Sequence, residues 1–263
     1  MVAAPADMTD MIALAARLAD AAGAICRQYY RSPLSIDDKA DASPVTIADR
    51  EAERTMRAIL AGAVPQHGII GEEMGAERAD AEYVWVLDPI DGTKSFMTGR
   101  PLFVTLIALL RRGEPILGVI DQPIVGDRWI GAEDLPTMLN GRPARVRSCP
   151  RLDGAVVATT TPEMFVGPER QAAFARLRGG CKIGLFGGDG YSYGQLSSGH
   201  LDIVVEDSMK LHDFAALVPV VNGAGGIITD WAGRPLGAHS AGDILAAGDR
   251  AAHRAAVALL APQ

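Results

Sequence analysis

Three acidic clusters stand where apolar segments end. Gly71-Glu72-Glu73 follows the short run 68–70, Asp88-Pro89-Ile90-Asp91-Gly92-Thr93 follows the run 83–87, and Asp213 opens a helical stretch reaching Asn222. Loops at such ends can gather all three around one point. In the middle cluster Asp88 and Asp91 are three residues apart, Pro89 stiffens the turn between them, and Gly92 admits dihedrals closed to other residues. Two carboxylates held so closely repel one another unless a cation lies between them. Hard oxygen ligands of this kind suit Mg2+, and the Ile90 carbonyl and Thr93 hydroxyl offer further oxygens. Each acid also has a purely structural reading: a Glu pair after a strand is commonly solvated, and Asp213 would serve as a helix N-cap or first-turn acid.

Gly92-Thr93-Lys94 reads as the start of a short helix, whose unpaired N–H groups would face the same corner and receive a phosphate. Metal and helix N-terminus together are the machinery of phosphate-ester hydrolysis, which favours an enzyme over a protein that only binds or senses metal or phosphate. Phosphatases that form an aspartyl-phosphate carry two aspartates two positions apart, whereas Asp88 and Asp91 are three apart, so direct attack by metal-activated water is expected. Asp49 with Thr93 could orient that water; Thr46 and Asp49, three apart, could equally form a helix capping box.

The elements that must carry these residues can be read from periodicity. Apolar residues from Met11 to Tyr29 recur at helical spacing, and a second helix runs from Thr46 and Asp49 to about Leu60. Segments 68–70, 83–88, 103–111, 115–121 and 127–131 read as strands of one sheet. The stretch from Asp134 to Pro150, with an Asn140-Gly141 turn, sets a boundary between parts 1–149 and 150–263. In the second part, strands at 154–160, 182–186, 201–205, 226–231 and 243–247 mostly alternate with helices at 163–177, 191–198, 212–222 and 249–260. The expected fold is a layered α/β (α+β) sandwich.

The 263 residues carry 25 Lys+Arg against 32 Asp+Glu, a net charge of −7, which argues against a nucleic-acid partner but permits a small phosphorylated substrate. No apolar run is long enough to span a membrane. The Ala-rich start bears Asp7, Asp10 and Asp20 without a basic segment, so no signal peptide is expected. Cys26, Cys149 and Cys181 lie far apart with no zinc spacing and read as reduced thiols in a cytoplasmic protein.

The GEE string, WVLDPIDGTKSF and LHDFAALVPVVNGAGG, in this order and spacing, resemble the signatures of the inositol monophosphatase family. The resemblance covers the chain from about Asp7 to Leu260. It implies an αβαβα sandwich, a dimer, lithium sensitivity and two to three Mg2+ per site. It also implies metal ligands at Glu72, Asp88, Ile90 (through its carbonyl), Asp91, Thr93 and Asp213. Asp49 and Thr93 become the water-activating pair with Glu72 assisting, the Gly92 and Thr93 N–H groups the phosphate site, and Lys39 a residue of a mobile loop. The family usually has Trp or Tyr where this chain has His212; a His at a helix start is expected to pack or cap rather than join a hard-oxygen site.

The second part resembles the histidinol-phosphatase subgroup in Gly187 to Gly194, Leu201 to Glu206, Thr161-Pro162 and Gly225 to Trp231. Asp189 and Glu206 would then lie at the distal end of the pocket and favour a cationic alcohol such as histidinol over a neutral polyol. The competing readings are that Asp189 caps the helix near Gly190, that Glu206 is a strand-end acid, and that the substrate is inositol monophosphate or another sugar phosphate.

Overall fold

The structure is a computed structural model that describes residues 7–32, 36–38 and 44–261. It begins with helix α1 (Met8–Tyr29), capped by Asp7, whose side chain accepts from the Thr9 N–H; the short pair β1 (Ile36–Asp38) and β2 (Pro44–Thr46); and helix α2 (Ile47–Ala63). Strands β3 (Gly68–Gly71), β4 (Gly75–Glu77) and β5 (Tyr83–Asp91) lead into the five-residue helix α3 (Thr93–Met97). Strands β6 (Val104–Arg111), β7 (Glu114–Gln122), β8 (Asp127–Ala132), β9 (Met138–Leu139) and β10 (Arg142–Pro143) complete one eight-stranded sheet, ordered β10-β9-β8-β7-β6-β5-β3-β4. Asn140 and Gly141, both at positive φ, join β9 to β10 in the tight turn their sequence announces.

The second sheet takes β11 (Val156–Thr159), β12 (Ile183–Phe186), β13 (Ile203–Glu206), β14 (Ile227–Asp230) and β15 (Ile244–Ala247) in the order β12-β11-β13-β15-β14. Its helices are α4 (Pro168–Gly180), α5 (Tyr191–Ser197), α6 (Leu211–Phe214), α7 (Leu217–Gly223) and α8 (Arg250–Leu260).

Alternate residues of β5 explain the layering. Trp85 and Leu87 pack with Leu14, Leu18, Met56 and Leu60 of α1 and α2, while Val84 and Val86 join a second core with Tyr193, Leu196, Phe214 and Val220. Both faces of the first sheet are therefore covered, so its strands read as continuous apolar runs rather than alternating ones. The second core also contains Val204, Ile244 and Ala246, which places α5, α6 and α7 between the sheets. On the far side of the second sheet, Ile203, Val205 and Leu245 pack with Phe174 and Leu177 of α4 and Ala256 of α8. The result is the expected αβαβα sandwich.

Two helices differ from the periodicity. The helix expected at 163–177 starts only at Pro168, after a 3₁₀ turn at Pro162–Met164, because Gly167 sits at φ +86°, a conformation that stops helical propagation, and Pro168 then fits the first turn. The helix expected at 212–222 divides into α6 and α7. Pro219 has no N–H to offer the Ala215 carbonyl four residues earlier, and its ring crowds that carbonyl. Strands β1, β2, β4, β9 and β10 have two or three residues each, too few for a periodic signal.

Candidate active site

Parallel pairing builds the acidic corner. Gly71 of β3 stands opposite Leu87 of β5, so the next residues, Glu72 beyond the end of β3 and Asp88 still within β5, lie side by side, and the Glu72 N–H donates to Leu87 O at 3.1 Å. The ladder between β5 and β6 breaks between Asp88 and Asp91, where Pro89 has no N–H to give; Thr105 Oγ1 holds the Pro89 carbonyl at 2.8 Å. This bulge turns Asp88 and Asp91 towards one place. Asp213 arrives there from the first turn of α6. One carboxylate oxygen from each of Asp88, Asp91 and Asp213 lies within 4.8 Å of the others, and the Glu72 carboxyl is within hydrogen-bonding reach of Asp88.

The electrostatics follow from that crowding. Asp88 is pushed well above the usual carboxylate range by burial and then by the charges of Glu72, Asp91 and Asp213. Asp91 is also pushed well up, by burial and then by Asp189 and Asp213. Asp213 is raised by burial, against which His212 and Lys210 act. Asp88 is buried and Asp91 and Asp213 are half-buried; carboxyls that raise one another in this way form a hard-oxygen donor set whose protons a divalent cation can replace, so the residues fit Mg2+. Asp213 also caps its own helix: its Oδ2 accepts the Lys210 N–H at 2.6 Å, while His212 Nε2 lies 3.3 Å from Oδ1. His212 thus touches the last acid of the corner from outside the three-carboxylate cluster.

The capping box at Thr46 and Asp49 is formed: the Thr46 N–H donates to Asp49 Oδ2 at 2.9 Å and the Thr46 hydroxyl to the same oxygen at 2.5 Å. Asp49 Oδ1 is buried without a hydrogen-bond partner, and the charge of Glu72 helps to raise its carboxyl after burial has done most. The Thr93 hydroxyl donates to Ile90 O at 3.2 Å. The expected hydrogen bond between Asp49 and Thr93 is therefore not made in this arrangement, because each has a nearer partner in its own turn. Gly92 caps α3 at φ +84°, and a β-carbon there would stand 2.8 Å from Asp189 Oδ2, so both its dihedral and its space demand glycine. Lys39 lies outside the described residues.

The distal wall comes from the second sheet, again at the ends of parallel strands, where open α/β sheets hold ligands. Ala158 of β11 pairs with Val204 of β13, which sets Thr160 beside Glu206. Glu206 is buried; its Oε1 accepts the Thr160 N–H at 3.0 Å and the Thr160 hydroxyl, and its Oε2 accepts the Tyr193 hydroxyl at 3.2 Å. Burial, with the charge of Asp189, pushes its carboxyl up to about 7 against the Thr160 hydrogen bonds.

Asp189 does not cap α5, whose N-cap is Gly190 with no side-chain bond; it sits at φ +42° and accepts from Ser95 Oγ at 3.3 Å. Its carboxyl is raised by burial, while Ser95, Arg100, Lys94 and Thr160 act in the opposite direction. The next N–H, from Gly190, donates to Asp91 Oδ2 at 2.5 Å. This bond ties the distal loop directly to the acidic corner.

Sequence reasoning missed Thr160, Ser95 and Tyr193 as partners of the distal acids. It also missed Glu53 of α2, whose carboxylate accepts the backbone N–H groups of Glu73 and Met74. A signal for Glu53 existed: Asp49, Glu53 and Arg57 recur every four residues on the face that buries Ala48, Ala52, Met56 and Leu60.

The model of the family described as the Inositol monophosphatase family matches residues 7–262. The chain is 49% identical over 249 residues to "Bifunctional phosphatase IMPL2, chloroplastic" of Arabidopsis thaliana, covering 91% of this chain and 72% of that one. It is 35% identical over 230 residues to a histidinol-phosphatase of Chlorobaculum parvum, covering 86% and 88%. A solved structure of an inositol monophosphatase from Zymomonas mobilis is 52% identical with a TM-score of 0.89, over 97% of this chain and 99% of that one. On the strength of these matches and of the layered fold that carries the acidic corner, the chain belongs to the inositol monophosphatase family, Mg2+-dependent phosphatases of small phosphorylated substrates.

Proposed function

We propose that this phosphatase hydrolyses L-histidinol phosphate to L-histidinol and phosphate, a reaction of histidine biosynthesis. The observation that carries the reading is a pair of neighbouring acids: Glu206, buried and held by Thr160, and Asp189, half-buried beside it and followed by Gly190, whose N–H holds Asp91. A leaving alcohol that bears an ammonium and an imidazole gains from those charges in a partly desolvated cleft, and a neutral polyol gains much less. Relatives named histidinol-phosphatases at 35% identity support it.

Glu72, Asp88, Asp91, Asp213 and the Ile90 carbonyl would hold Mg2+, in two to three positions, with the Thr93 hydroxyl beside them. When bound, Mg2+ polarises the phosphoryl group, activates water and stabilises the leaving oxygen. The Gly92 and Thr93 N–H groups would bind phosphate oxygens at the start of α3. Asp49, Thr93 and Glu72 would orient the attacking water, Asp49 through its Oδ1, which has no partner in the protein and would have to be uncovered for water to reach it. Asp189 and Glu206 would hold the organic part, and Lys39 is assigned to substrate binding on the family resemblance alone. In this reading residues 1–149 supply most of the metal corner, and 150–263 supply substrate recognition and the last metal aspartate.

A second reading, hydrolysis of inositol or another sugar phosphate, is favoured by Lys94 and Arg100, which offset the charge of Asp189, and by the 52% identity to the Zymomonas mobilis protein. Phosphate release from histidinol phosphate and inositol 1-phosphate, measured side by side at equal Mg2+, separates the two. Faster release from inositol 1-phosphate would overturn the first reading. The free thiols Cys26, Cys149 and Cys181 support a reducing compartment such as the cytoplasm. A homodimer is supported by β12, an edge strand that exposes Ile183, Leu185 and Phe186 at 44–52%.

A further inference from the structure

We infer that Glu53 is a positioning residue for the metal corner, acting through the turn that carries Glu72. Glu53 lies on α2 and is fully buried. Its Oε2 accepts the Glu73 N–H at 2.7 Å, and its Oε1 accepts the Met74 N–H at 3.1 Å and Arg57 Nε at 2.8 Å. On the other side, the Glu72 N–H is held by Leu87 O at 3.1 Å. Three successive N–H groups are therefore fixed, one to β5 and two to α2, and the Cα of Glu72 cannot shift without breaking one of them.

Two further observations show that the turn is built around this carboxylate. A β-carbon at Gly71 would stand 2.1 Å from Glu53 Oε1, so the backbone before Glu72 approaches the carboxylate as only glycine allows. Arg57 then extends the brace, pairing with Glu77 Oε1 at 2.8 Å and with the Gly75 carbonyl, which pins β4 to α2. A buried ion pair of this kind contributes little net stability over an apolar substitute, so its geometric effect on the Glu72 turn is its distinguishing consequence. Partners that orient metal ligands typically change metal affinity or activity about 10–100-fold when removed.

The inference rests on the proposed ligand role of Glu72, and the test separates the two. Mg2+ is titrated into the metal-free full-length protein by calorimetry, alongside thermal melts with and without Mg2+. Glu53→Gln is expected to weaken Mg2+ affinity by about tenfold or more and to raise the Mg2+ needed for half-maximal activity by the same factor. Glu72→Gln should itself weaken Mg2+ binding, and adding Glu53→Gln to it should cost little more, because both act on one contact. Unchanged Mg2+ affinity in Glu53→Gln with only a lower melting temperature, or the same additional loss in both backgrounds, would overturn the positioning role. Unchanged affinity in Glu72→Gln alone would overturn the ligand role beneath it. Should Glu53→Gln fail to fold, Arg57→Lys, which removes the fork to Glu77 and Gly75, should show a severalfold loss, and its absence would equally overturn the brace.

Discussion

Replacing Glu206 by Gln keeps the shape of the distal wall and removes the charge on which the proposed discrimination for a cationic alcohol depends. In the folded protein burial holds this carboxyl up to about 7, against an ordinary value of 4.5. If only the ionised form binds the cation, the binding-competent fraction is about one tenth at pH 6 and about nine tenths at pH 8, so KM for histidinol phosphate should fall by about tenfold across that interval. The phosphate and imidazole of the substrate titrate in the same range, so the comparison is between wild type and Glu206→Gln at each pH. The variant should keep only the substrate's own pH dependence and should lose its preference for histidinol phosphate over inositol 1-phosphate.

The same shift has a stability signature of defined sign. An acid whose folded pKa is raised favours the folded state while protonated, so that stability falls as pH rises from about 4.5 to about 7 and is level outside that window. A shift of this size corresponds to about 3 kcal/mol, or a Tm change on the order of 10 °C for a chain of this length. The acids of the acidic corner contribute to both proteins, so subtracting the two Tm–pH curves of the metal-free forms isolates Glu206. Parallel Tm curves together with an unchanged substrate preference would refute both the buried charge and its role.

Asp91→Asn should lower turnover more than about a hundredfold at saturating Mg2+, since a neutral amide cannot replace the carboxylate's charge at the metal. The metal-free variant should melt at a higher temperature than wild type because one of several mutually repelling acids is gone, and Mg2+ should stabilise it less; near-native activity would sink the assignment. For the proposed dimer, light scattering should give a two-chain mass for the wild type and a one-chain mass for Leu185→Glu on the edge strand β12; a one-chain wild type would refute the dimer, and an unchanged two-chain mass in the variant would place the interface elsewhere.

The acidic corner was legible because its chemistry is written locally. Asp88, Asp91 and Gly92 lie within five residues, and Pro89 and the glycine constrain the backbone that carries them. The long helices were legible for a similar reason: Met11, Leu14, Leu18 and Ala22 of α1 repeat with the period of the element they bury. The break at Pro219 was also written in the chain, but the continuous apolar pattern around it concealed the division into α6 and α7.

Residue types and spacing by themselves determined the layered α/β class, the hard-oxygen character of the corner and the apolar strands. What only the tertiary structure decided was which groups meet across chain distance. The Gly190 N–H reaches Asp91 across 99 positions, Thr160 reaches Glu206 across 46, and Glu53 clamps a turn 20 residues away. Periodicity reports how an element is buried, not which neighbour it is buried against. Those pairings depend on strand register and sheet order, such as Gly71 opposite Leu87 and Ala158 opposite Val204, which exist only once the two sheets have closed on their shared core.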